Sequence, residues 1–259
     1  MGNGDNRTED AQQPKVAWLT GASSGIGRAL ALRLAQQGWT VAASARNRTA
    51  LEELVSAQPS TIHAYELDVT DRPMTANVVA AIETKLAPIS LAAFCAGTYR
   101  HETLQTFDAA IIGEMFALNV MGTVNCLEAI MPRMVARRAG RIAVTASVSG
   151  YTGLPGAAGY GATKAALINM CEALYPELER SGVRMVLINP GFVDTPLTRK
   201  NDFPMPFLIS SEEAADHILR GLADERFEIA FPWKMKLAMG LLRALPARLR
   251  FSVTRRMLR

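Results

Sequence analysis

The chain has 259 residues, 49% of them hydrophobic and 20% charged, with a formal net charge of +4 at pH 7. These values suit a soluble globular protein of one large α/β domain or two small ones. Three scattered cysteines without a C-x-x-C pair suggest neither a disulfide framework nor a zinc site, and they favour a reducing cytoplasm. Without a run of about 18 uninterrupted apolar residues we expect no transmembrane helix, and the polar residues 1–14 predict a flexible tail rather than a signal peptide.

From residue 15 onwards, apolar runs alternate with amphipathic helical patterns. The predicted strands are 15–20, 39–45, 61–69, 89–96, 140–145, 183–189 and 227–231. The predicted helices are 25–37, 49–57, 72–86, 107–138, 157–181 and 211–223. This alternation indicates a parallel sheet covered on both faces, with a ligand at the carboxyl ends of the strands. We predict a single-domain, Rossmann-like, doubly wound α/β fold of about seven strands over 15–231, followed by a helical extension over 232–259.

The first predicted strand leads into a glycine-rich turn, Thr20-Gly21-Ala22-Ser23-Ser24-Gly25-Ile26-Gly27, which opens a helix. This layout places a pyrophosphate on a helix N-terminus, and the glycines let the backbone approach the phosphates. The spacing is G-x-x-x-G-x-G rather than the usual G-x-G-x-x-G, and a turn without a ligand is the alternative. The candidate cofactor residues of the turn are Gly21, Ser23, Ser24, Gly25, Ile26 and Gly27.

The end of the second predicted strand discriminates between the two nicotinamide dinucleotides. An acid there binds the 2′-hydroxyl of NAD, whereas a base accepts the 2′-phosphate of NADP. This strand ends in Ser44-Ala45-Arg46-Asn47-Arg48, with no acid, and Arg28 directly follows the last glycine of the turn. Guanidinium groups of Arg28 and Arg46 near one phosphate favour NADP over NAD. The alternative is that both arginines are solvated helix residues.

Tyr160 and Lys164 lie four residues apart in a predicted helix and therefore on one face of it. A phenol with a pKa of about 10 is a poor acid–base catalyst at neutral pH. An ammonium about 4 Å away would stabilise the phenolate by about 4 kcal/mol, or roughly three pK units. We therefore expect Lys164 to bring Tyr160 near the working pH. Alone, such a pair is more often a packed tyrosine and a surface lysine.

Other motifs surround this pair: Ser147 follows the fifth strand, Asn119 lies in the long helix, and Asn-Pro-Gly-Phe-Val-Asp-Thr over 189–195 follows the sixth strand. With these motifs in this order, the chain resembles the short-chain dehydrogenase/reductase family from residue 15 to about 231. The resemblance implies that Tyr160 is the general acid–base and that Lys164 lowers its pKa and binds the nicotinamide ribose. It also implies that Ser147 holds the substrate oxygen and that Asn119 positions a water of the proton relay.

The resemblance extends to cofactor contacts and assembly. It implies cofactor contacts, besides those of the turn, at Asp68, Val69, Ala96, Gly97, Tyr160, Lys164, Pro190, Gly191, Val193 and Thr195. Dimers or tetramers would be usual for the family, so we expect a homodimer or homotetramer.

One position departs from the family pattern. The family commonly has Asn-Ala-Gly after the fourth strand, where this chain has Cys95-Ala96-Gly97. The asparagine ties neighbouring strands together, whereas a cysteine is a weak donor and acceptor. We expect a less rigid cofactor site, with Cys95 a small buried apolar residue rather than a nucleophile. The three histidines have no metal-ligand spacing, and no metal is expected.

The segment after Thr195, up to Leu208, is expected to cover the mouth of the site. Its Phe, Met and Leu residues suggest an apolar wall, and its prolines suggest a loop able to open. A plain surface connection is the alternative.

The basic charge lies in the C-terminal tail. Residues 229–259 contain eight Lys and Arg and no Asp or Glu, so the rest of the chain carries a net charge of −4. Helical stripes in the tail comprise Leu237, Leu241 and Leu245, with Met235, Met239 and Leu242 beside them, then Leu249, Val253 and Met257. Such a cationic amphipathic pair suits an anionic membrane surface or a lid over an apolar substrate. Packing on the body or on a second subunit is the alternative.

We therefore predict a cytoplasmic NADP(H)-dependent carbonyl reductase or alcohol dehydrogenase for a hydrophobic ketone or secondary alcohol. One alternative is a membrane-surface reductase of lipid or acyl ketones, peripherally bound through 232–259. Another is a non-catalytic NADP(H)-binding sensor, which the retained Ser147, Tyr160 and Lys164 disfavour. Nucleic-acid binding is not expected, because the body is acidic and carries no such motif.

Overall fold

A seven-stranded parallel sheet organises the protein. The computed structural model describes residues 15–258, so the predicted tail over 1–14 lies outside the described residues. The strands are β1 Val16–Thr20, β2 Thr40–Ala45, β3 Ile62–Glu66, β4 Ile89–Phe94, β5 Arg141–Thr145, β6 Arg184–Pro190 and β7 Glu228–Phe231. Their order is β3-β2-β1-β4-β5-β6-β7, and every neighbouring pair is parallel. The order reverses between β1 and β4, which is where such sheets bind ligands.

Helices cover both faces of the sheet. They are α1 Gly25–Gln36, α2 Arg48–Ala57, α3 Arg72–Lys85, α4 Ala109–Met115, α5 Gly122–Arg137, α6 Ala158–Arg180, α7 Ser211–Ala223, α8 Trp233–Ala244 and α9 Ala247–Arg255. On one face α1 and α7 pack together over strand residues such as Leu19 and Ile188. On the other, α3, α5 and α6 cover Trp18, Phe94 and Val144. Because both faces are covered, the central strands are continuous apolar runs, which is why they were recognisable in the sequence.

Two predicted elements differ from the structure. The predicted strand over 61–69 ends at Glu66, because the Asp68 carboxylate accepts a hydrogen bond from the Thr70 amide at 2.9 Å and turns the chain. The predicted helix over 107–138 is divided by a π-helical turn, Phe116–Met121, between α4 and α5. Such turns occur preferentially at functional sites.

The stretch Ala109–Arg137 is 29 residues long and contains an 18-residue window with a mean hydropathy of 1.4, which by length and composition alone would suit a membrane span. A core helix of a globular domain passes the same test. Leu127, Ile130 and Met134 of α5 are buried in the core beneath the sheet. We therefore assign this stretch to the protein core.

Helix α8 packs on the body through one side only. Met235, Met239 and Leu242 are buried against Val148 and the half-buried Tyr151, Leu154, Phe192 and Leu245. Of the stripe predicted from Leu237, Leu241 and Leu245, only Leu245 joins this cluster, and Leu237 and Leu241 are exposed. The contact places α8 against the loops that follow β5 and β6.

Candidate active site

A cleft of about 340 Å³ opens at the carboxyl ends of the strands. The turn after β1, the end of β2, the loops after β3 to β6 and the start of α6 form its walls. Nearly all the predicted site residues lie along it: Gly21, Ser23, Ser24, Gly25, Ile26, Gly27, Arg46, Asp68, Val69, Ala96, Gly97, Ser147, Tyr160, Lys164, Pro190, Gly191, Val193 and Thr195. Arg28 and Asn119 do not line it.

The glycine-rich turn leaves no room for side chains at two positions. Gly21 has φ +66°, and a Cβ there would lie 2.6 Å from the amide nitrogen of Ala96. A Cβ on Gly27 would lie 2.4 Å from the carbonyl oxygen of Gly21. These contacts bring the start of α1 tightly against the ends of β1 and β4.

The N-terminus of α1 is prepared for an anion. Ser24 precedes the helix in an extended conformation, its side chain makes no capping hydrogen bond, and the first turn carries no acid. Amides of an uncapped first turn together with the helix dipole favour a phosphate group. The geometry of this cradle suits the pyrophosphate of a dinucleotide, and the contacts of these residues with a cofactor stay a prediction.

Arg46 follows β2 and lies at the rim of the cleft, with 68% of its side chain exposed. Its guanidinium is 3.7 Å from the Asp68 carboxylate. Burial would raise the pKa of Asp68, but hydrogen bonds from Thr70 and the charge of Arg46 outweigh burial and lower it. Arg28 is half-buried on α1 and does not line the cleft. Of the two arginines predicted to bind a 2′-phosphate, the fold therefore brings Arg46 to the cleft.

Ser147, Tyr160 and Lys164 meet in the same cleft. Ser147 follows β5, is 8% exposed and donates a hydrogen bond to the carbonyl of Pro190 at 3.2 Å. Tyr160 lies in the first turn of α6, and Lys164 lies one turn further on. The Lys164 ammonium donates to the carbonyl of Thr145 at 2.9 Å and lies 5.6 Å from the centroid of the Tyr160 ring.

The pKa of the phenol differs from the prediction. Burial raises the pKa of Tyr160 to about 12, although a hydrogen bond with Ser147 opposes the rise. Burial also lowers the pKa of Lys164 to about 8. The predicted lowering of the Tyr160 pKa was therefore wrong, because the ammonium bonds to a carbonyl and both ionised forms lose hydration. At neutral pH the phenol carries its proton, and most of the lysine is ammonium.

Asn119 lies in the π-helical turn and is fully buried. Its side-chain oxygen accepts a hydrogen bond from the amide of Thr98 at 2.7 Å. Its amide nitrogen donates to the carbonyl of Thr98 at 2.9 Å and to the hydroxyl of Thr163 at 3.0 Å. The side chain thus ties the loop after β4 to α6. Its role in positioning a water of the proton relay stays a prediction.

Cys95 occupies the position where an asparagine was expected. Its sulfur accepts a hydrogen bond from the Thr145 hydroxyl at 3.4 Å, which links the ends of β4 and β5 weakly. Burial raises the pKa of the Cys95 thiol. The raised pKa keeps the thiol protonated and therefore a poor nucleophile. Cys95 is only half-buried and lines the cleft, so it is not the buried apolar residue that the sequence predicted.

The structure adds residues that the sequence argument missed. The Tyr99 ring packs edge-on against the Tyr160 ring, with centroids 5.1 Å apart. Glu102 is 4% exposed, and its carboxylate accepts a hydrogen bond from the amide of Gly159 at 2.7 Å, at the start of α6. Thr145 could have been found from its place at the end of a strand. Glu102 gave no signal, because its partner is 57 residues away.

The segment from Thr195 to Leu208 bridges two loops at the carboxyl ends of the strands. Its Phe203 ring lies 6.0 Å from the ring of His101, in the loop after β4, and 6.0 Å from that of Phe192, in the loop after β6. These contacts hold the segment against the loops after β4 and β6. That it forms an apolar wall of the mouth stays a prediction. Within residues 15–258, no group of three or more His, Cys, Asp or Glu is arranged to hold a metal ion.

Comparison with known proteins identifies relatives over most of the chain. The protein-family model described as short chain dehydrogenase matches residues 15–204. A Myxococcus xanthus protein named only as an uncharacterized oxidoreductase is 34% identical over 94% of this chain and 97% of its own. The 3-oxoacyl-[acyl-carrier-protein] reductase FabG of Thermotoga maritima is 34% identical over 72% of this chain and 77% of its own.

Solved structures share the fold. A short-chain dehydrogenase from Streptomyces avermitilis has a TM-score of 0.77 and 28% identity, covering 85% of this chain and 88% of its own. ElxO with NADP bound has a TM-score of 0.75 and 24% identity over 84% and 97% of the two chains. A Burkholderia phymatum short chain dehydrogenase/reductase in complex with NAD has a TM-score of 0.81 and 24% identity over 88% and 92%. The shared fold therefore occurs with either dinucleotide.

Proposed function

The chain belongs to the short-chain dehydrogenase/reductase family of oxidoreductases, and from this premise we propose that it transfers hydride between NADP(H) and a hydrophobic ketone or secondary alcohol. The observation that carries the proposal is that Ser147, Tyr160 and Lys164 share one cleft with the glycine-rich turn. A sheet edge that binds a dinucleotide and also presents a buried phenol and ammonium is equipped for proton and hydride transfer together.

The bound dinucleotide supplies or accepts the hydride. In reduction, the Ser147 hydroxyl donates a hydrogen bond to the substrate carbonyl oxygen and orients it. As hydride reaches the carbonyl carbon, the Tyr160 hydroxyl gives its proton to that oxygen, and the alcohol forms. The resulting phenolate ring lies 5.6 Å from the ammonium of Lys164 and then regains a proton from solvent. In oxidation the same groups act in the opposite order.

Arg46 and the absence of an acid at the end of β2 support NADP(H) as the dinucleotide. In the part of the chain that the structure describes, the exposed guanidinium is held only by an ion pair of 3.7 Å with Asp68, so it is available to a phosphate. A 2′-phosphate would present two or three oxygens to it and form stronger, charge-assisted bonds. NAD lacks this group and would gain nothing from Arg46.

The mouth supports an apolar carbonyl substrate. The Tyr99 ring packs on the Tyr160 ring, and the Phe203 ring packs on His101 and Phe192 in the loops after β4 and β6. The relative from Thermotoga maritima is named as a reductase of 3-oxoacyl groups, which supports a ketone as the group reduced. The sheet edge and the rings together favour a ketone with an apolar chain or ring over a small polar one.

The test is NADPH consumption against a panel of carbonyl compounds, with wild-type protein and Tyr160→Phe. We expect turnover that falls by about 10²–10⁴-fold in Tyr160→Phe, while NADPH binding, followed by cofactor fluorescence, is retained. Tyr175→Phe, which changes a tyrosine elsewhere on α6, is the control and should keep full activity. NADPH binding without Tyr160-dependent turnover would instead favour the non-catalytic sensor.

A further inference from the structure

Exposed apolar side chains are concentrated on the last two helices and on the residues directly after them. Between 39% and 67% of each of eight residues is exposed, and we call these residues the α8–α9 surface: Trp233, Leu237, Leu241, Leu249, Phe251, Val253, Met257 and Leu258. Such a concentration marks an interaction site rather than scattered surface residues.

Packing on the body does not account for this surface. Helix α8 already buries one side, formed by Met235, Met239 and Leu242. On another side it exposes three apolar residues at four-residue spacing, Trp233, Leu237 and Leu241. Within α9, Thr254 alone is buried. A nine-residue helix is marginal in water without tertiary packing, so α9 is expected to need a partner for its apolar residues.

The charge around the surface is of one sign. The tail over 229–259 has eight basic residues and no acidic one. Lys236 is paired with Glu228, whereas Arg248, Arg255 and Arg256 are exposed among the apolar residues of α9. Lys234 lies over the rings of Phe207 and Trp233, at 5.6 and 5.9 Å. The partner of this surface must therefore be apolar and negatively charged.

A second copy of the chain fits these requirements poorly. A twofold interface brings the same patch of both copies together, so arginines would face arginines with no acid in the tail to pair with them. An anionic bilayer offers both properties, because its head groups are negative and its acyl chains accept Trp, Leu and Phe. Trp233 is also the residue type enriched at the level of the lipid head groups.

We propose that the α8–α9 surface binds the surface of an anionic lipid bilayer, with the exposed apolar residues inserted and the exposed arginines at the head groups. The surface continues to Phe207 and Leu208, which are 47% and 44% exposed, and Lys234 lies over the Phe207 ring. These two residues belong to the segment whose first residues, 195–198, line the cleft. If the proposed carbonyl reduction holds, an apolar substrate could then enter from the bilayer.

The test is co-sedimentation of the full chain with vesicles of phosphatidylcholine containing phosphatidylglycerol, and with vesicles of phosphatidylcholine alone. We expect binding to the anionic vesicles that weakens with salt and is about tenfold lower on neutral ones. A triple variant should reduce binding to the anionic vesicles at least about tenfold: Leu237→Ser with Leu241→Ser and Phe251→Ser. The charge variant Arg248→Ser with Arg255→Ser and Arg256→Ser should bind both vesicle types equally weakly.

The matched control removes two exposed apolar residues elsewhere, Leu104→Ser with Phe107→Ser, and should bind as the wild type does. Circular dichroism establishes that each variant is folded. Equal partitioning of wild-type protein and the α8–α9 variants would overturn the proposal. A second outcome would also overturn it: vesicles bind no protein, the wild type is a dimer in solution, and the variant changed at Leu237, Leu241 and Phe251 is a monomer. Because sedimentation does not depend on turnover, failure of the proposed reductase activity would leave this result unchanged.

Discussion

The ammonium of Lys164 lies 5.6 Å from the centroid of the Tyr160 ring and donates its hydrogen bond to the carbonyl of Thr145. Burial favours the neutral form of each side chain, so it lowers the pKa of Lys164 to about 8 and raises the pKa of Tyr160 to about 12. The pair is therefore poised with a protonated phenol beside a cation. That is the state needed to protonate a carbonyl oxygen.

The pH dependence of carbonyl reduction should report Lys164. Its ammonium is present below pH 8 and is lost as the pH rises through about 8, whereas the Tyr160 phenol stays protonated up to about pH 12. We expect kcat/KM to be level between pH 6 and 7.5 and then to fall towards one decade per pH unit, as steady-state rates with NADPH would show.

Lys164→Arg is the control for this profile, because arginine stays charged over the whole range. Its residual activity should show no fall near pH 8. A fall in Lys164→Arg equal to that of the wild type would assign the titration to another group, and a level wild-type profile up to pH 10 would contradict the altered lysine pKa.

Arg46→Ala should separate the two dinucleotides. Loss of charge-assisted bonds to a 2′-phosphate raises the KM for NADPH by about 10–100-fold and leaves the KM for NADH nearly unchanged. Arg48→Ala is the matched control, because Arg48 is exposed two residues further on and pairs with Glu52 at 2.8 Å. Arg28→Ala, outside the lining of the cleft, should affect NADPH less than Arg46→Ala. Equal changes for NADPH and NADH in Arg46→Ala would remove the basis for NADP preference.

Much of the fold and site follows from local patterns. Strands buried on both faces appear as apolar runs, and Tyr160 and Lys164 share a face because of helical spacing. The pKa of Tyr160 did not follow, because burial depends on Tyr99, Ser147 and the rest of the folded surroundings. The π-helical turn around Asn119 has a similar origin, since nothing in its apolar sequence distinguishes it from the flanking helix.

In the C-terminal tail, too, the sequence pattern could not predict which residues pack on the body. Helix α8 carries apolar residues on two sides, so periodicity alone could not decide which side packs on the body. The structure selects Met235, Met239 and Leu242, which reach the loops after β5 and β6, and leaves Leu237 and Leu241 exposed.

Glu228 joins α8 to the loops of the site. Its carboxylate accepts hydrogen bonds from the Tyr151 hydroxyl and from the Asn189 amide at 2.8 Å, and it pairs with Lys236 at 2.7 Å. Glu228→Gln should lower the free energy of unfolding by about 1–3 kcal/mol at pH 7, measured by denaturant titration. Glu225→Gln, which changes an exposed ion pair with Arg184, is the control and should have little effect.

The effect of Glu228→Gln should depend on pH. Burial would raise the pKa of Glu228, but Lys236, Tyr151 and Asn189 outweigh it, so the pKa is lowered. Stability from this carboxylate is fully present above its unfolded pKa, about 4.5, and is lost as the pH falls through the lower folded pKa. The difference between wild type and variant should therefore shrink in acid. A difference that is constant from pH 7 to pH 3 would show that the charge is not responsible.

Alanine substitutions at three glycines distinguish the effect of a steric clash from the effect of backbone strain. A Cβ on Gly21 would meet the Ala96 amide at 2.6 Å, and its φ is +66°. Gly38, after α1, has φ +80° but no atom within 4 Å of a Cβ, and Gly113, within α4, has open space without a positive φ. Alanine at these positions therefore introduces clash and strain, strain alone, or neither.

Thermal and denaturant unfolding of the three alanine variants should rank accordingly. Gly113→Ala should stabilise the protein by about 0.5–1 kcal/mol, because alanine loses less entropy in a helix. Gly38→Ala should cost about 1–2 kcal/mol from the left-handed conformation. Gly21→Ala should cost more than Gly38→Ala and should alone weaken NADPH binding, because relief of the clash must move the turn away from β4. If Gly21→Ala matched Gly38→Ala in both stability and NADPH affinity, the close contact with Ala96 would not be what shapes the phosphate-binding turn.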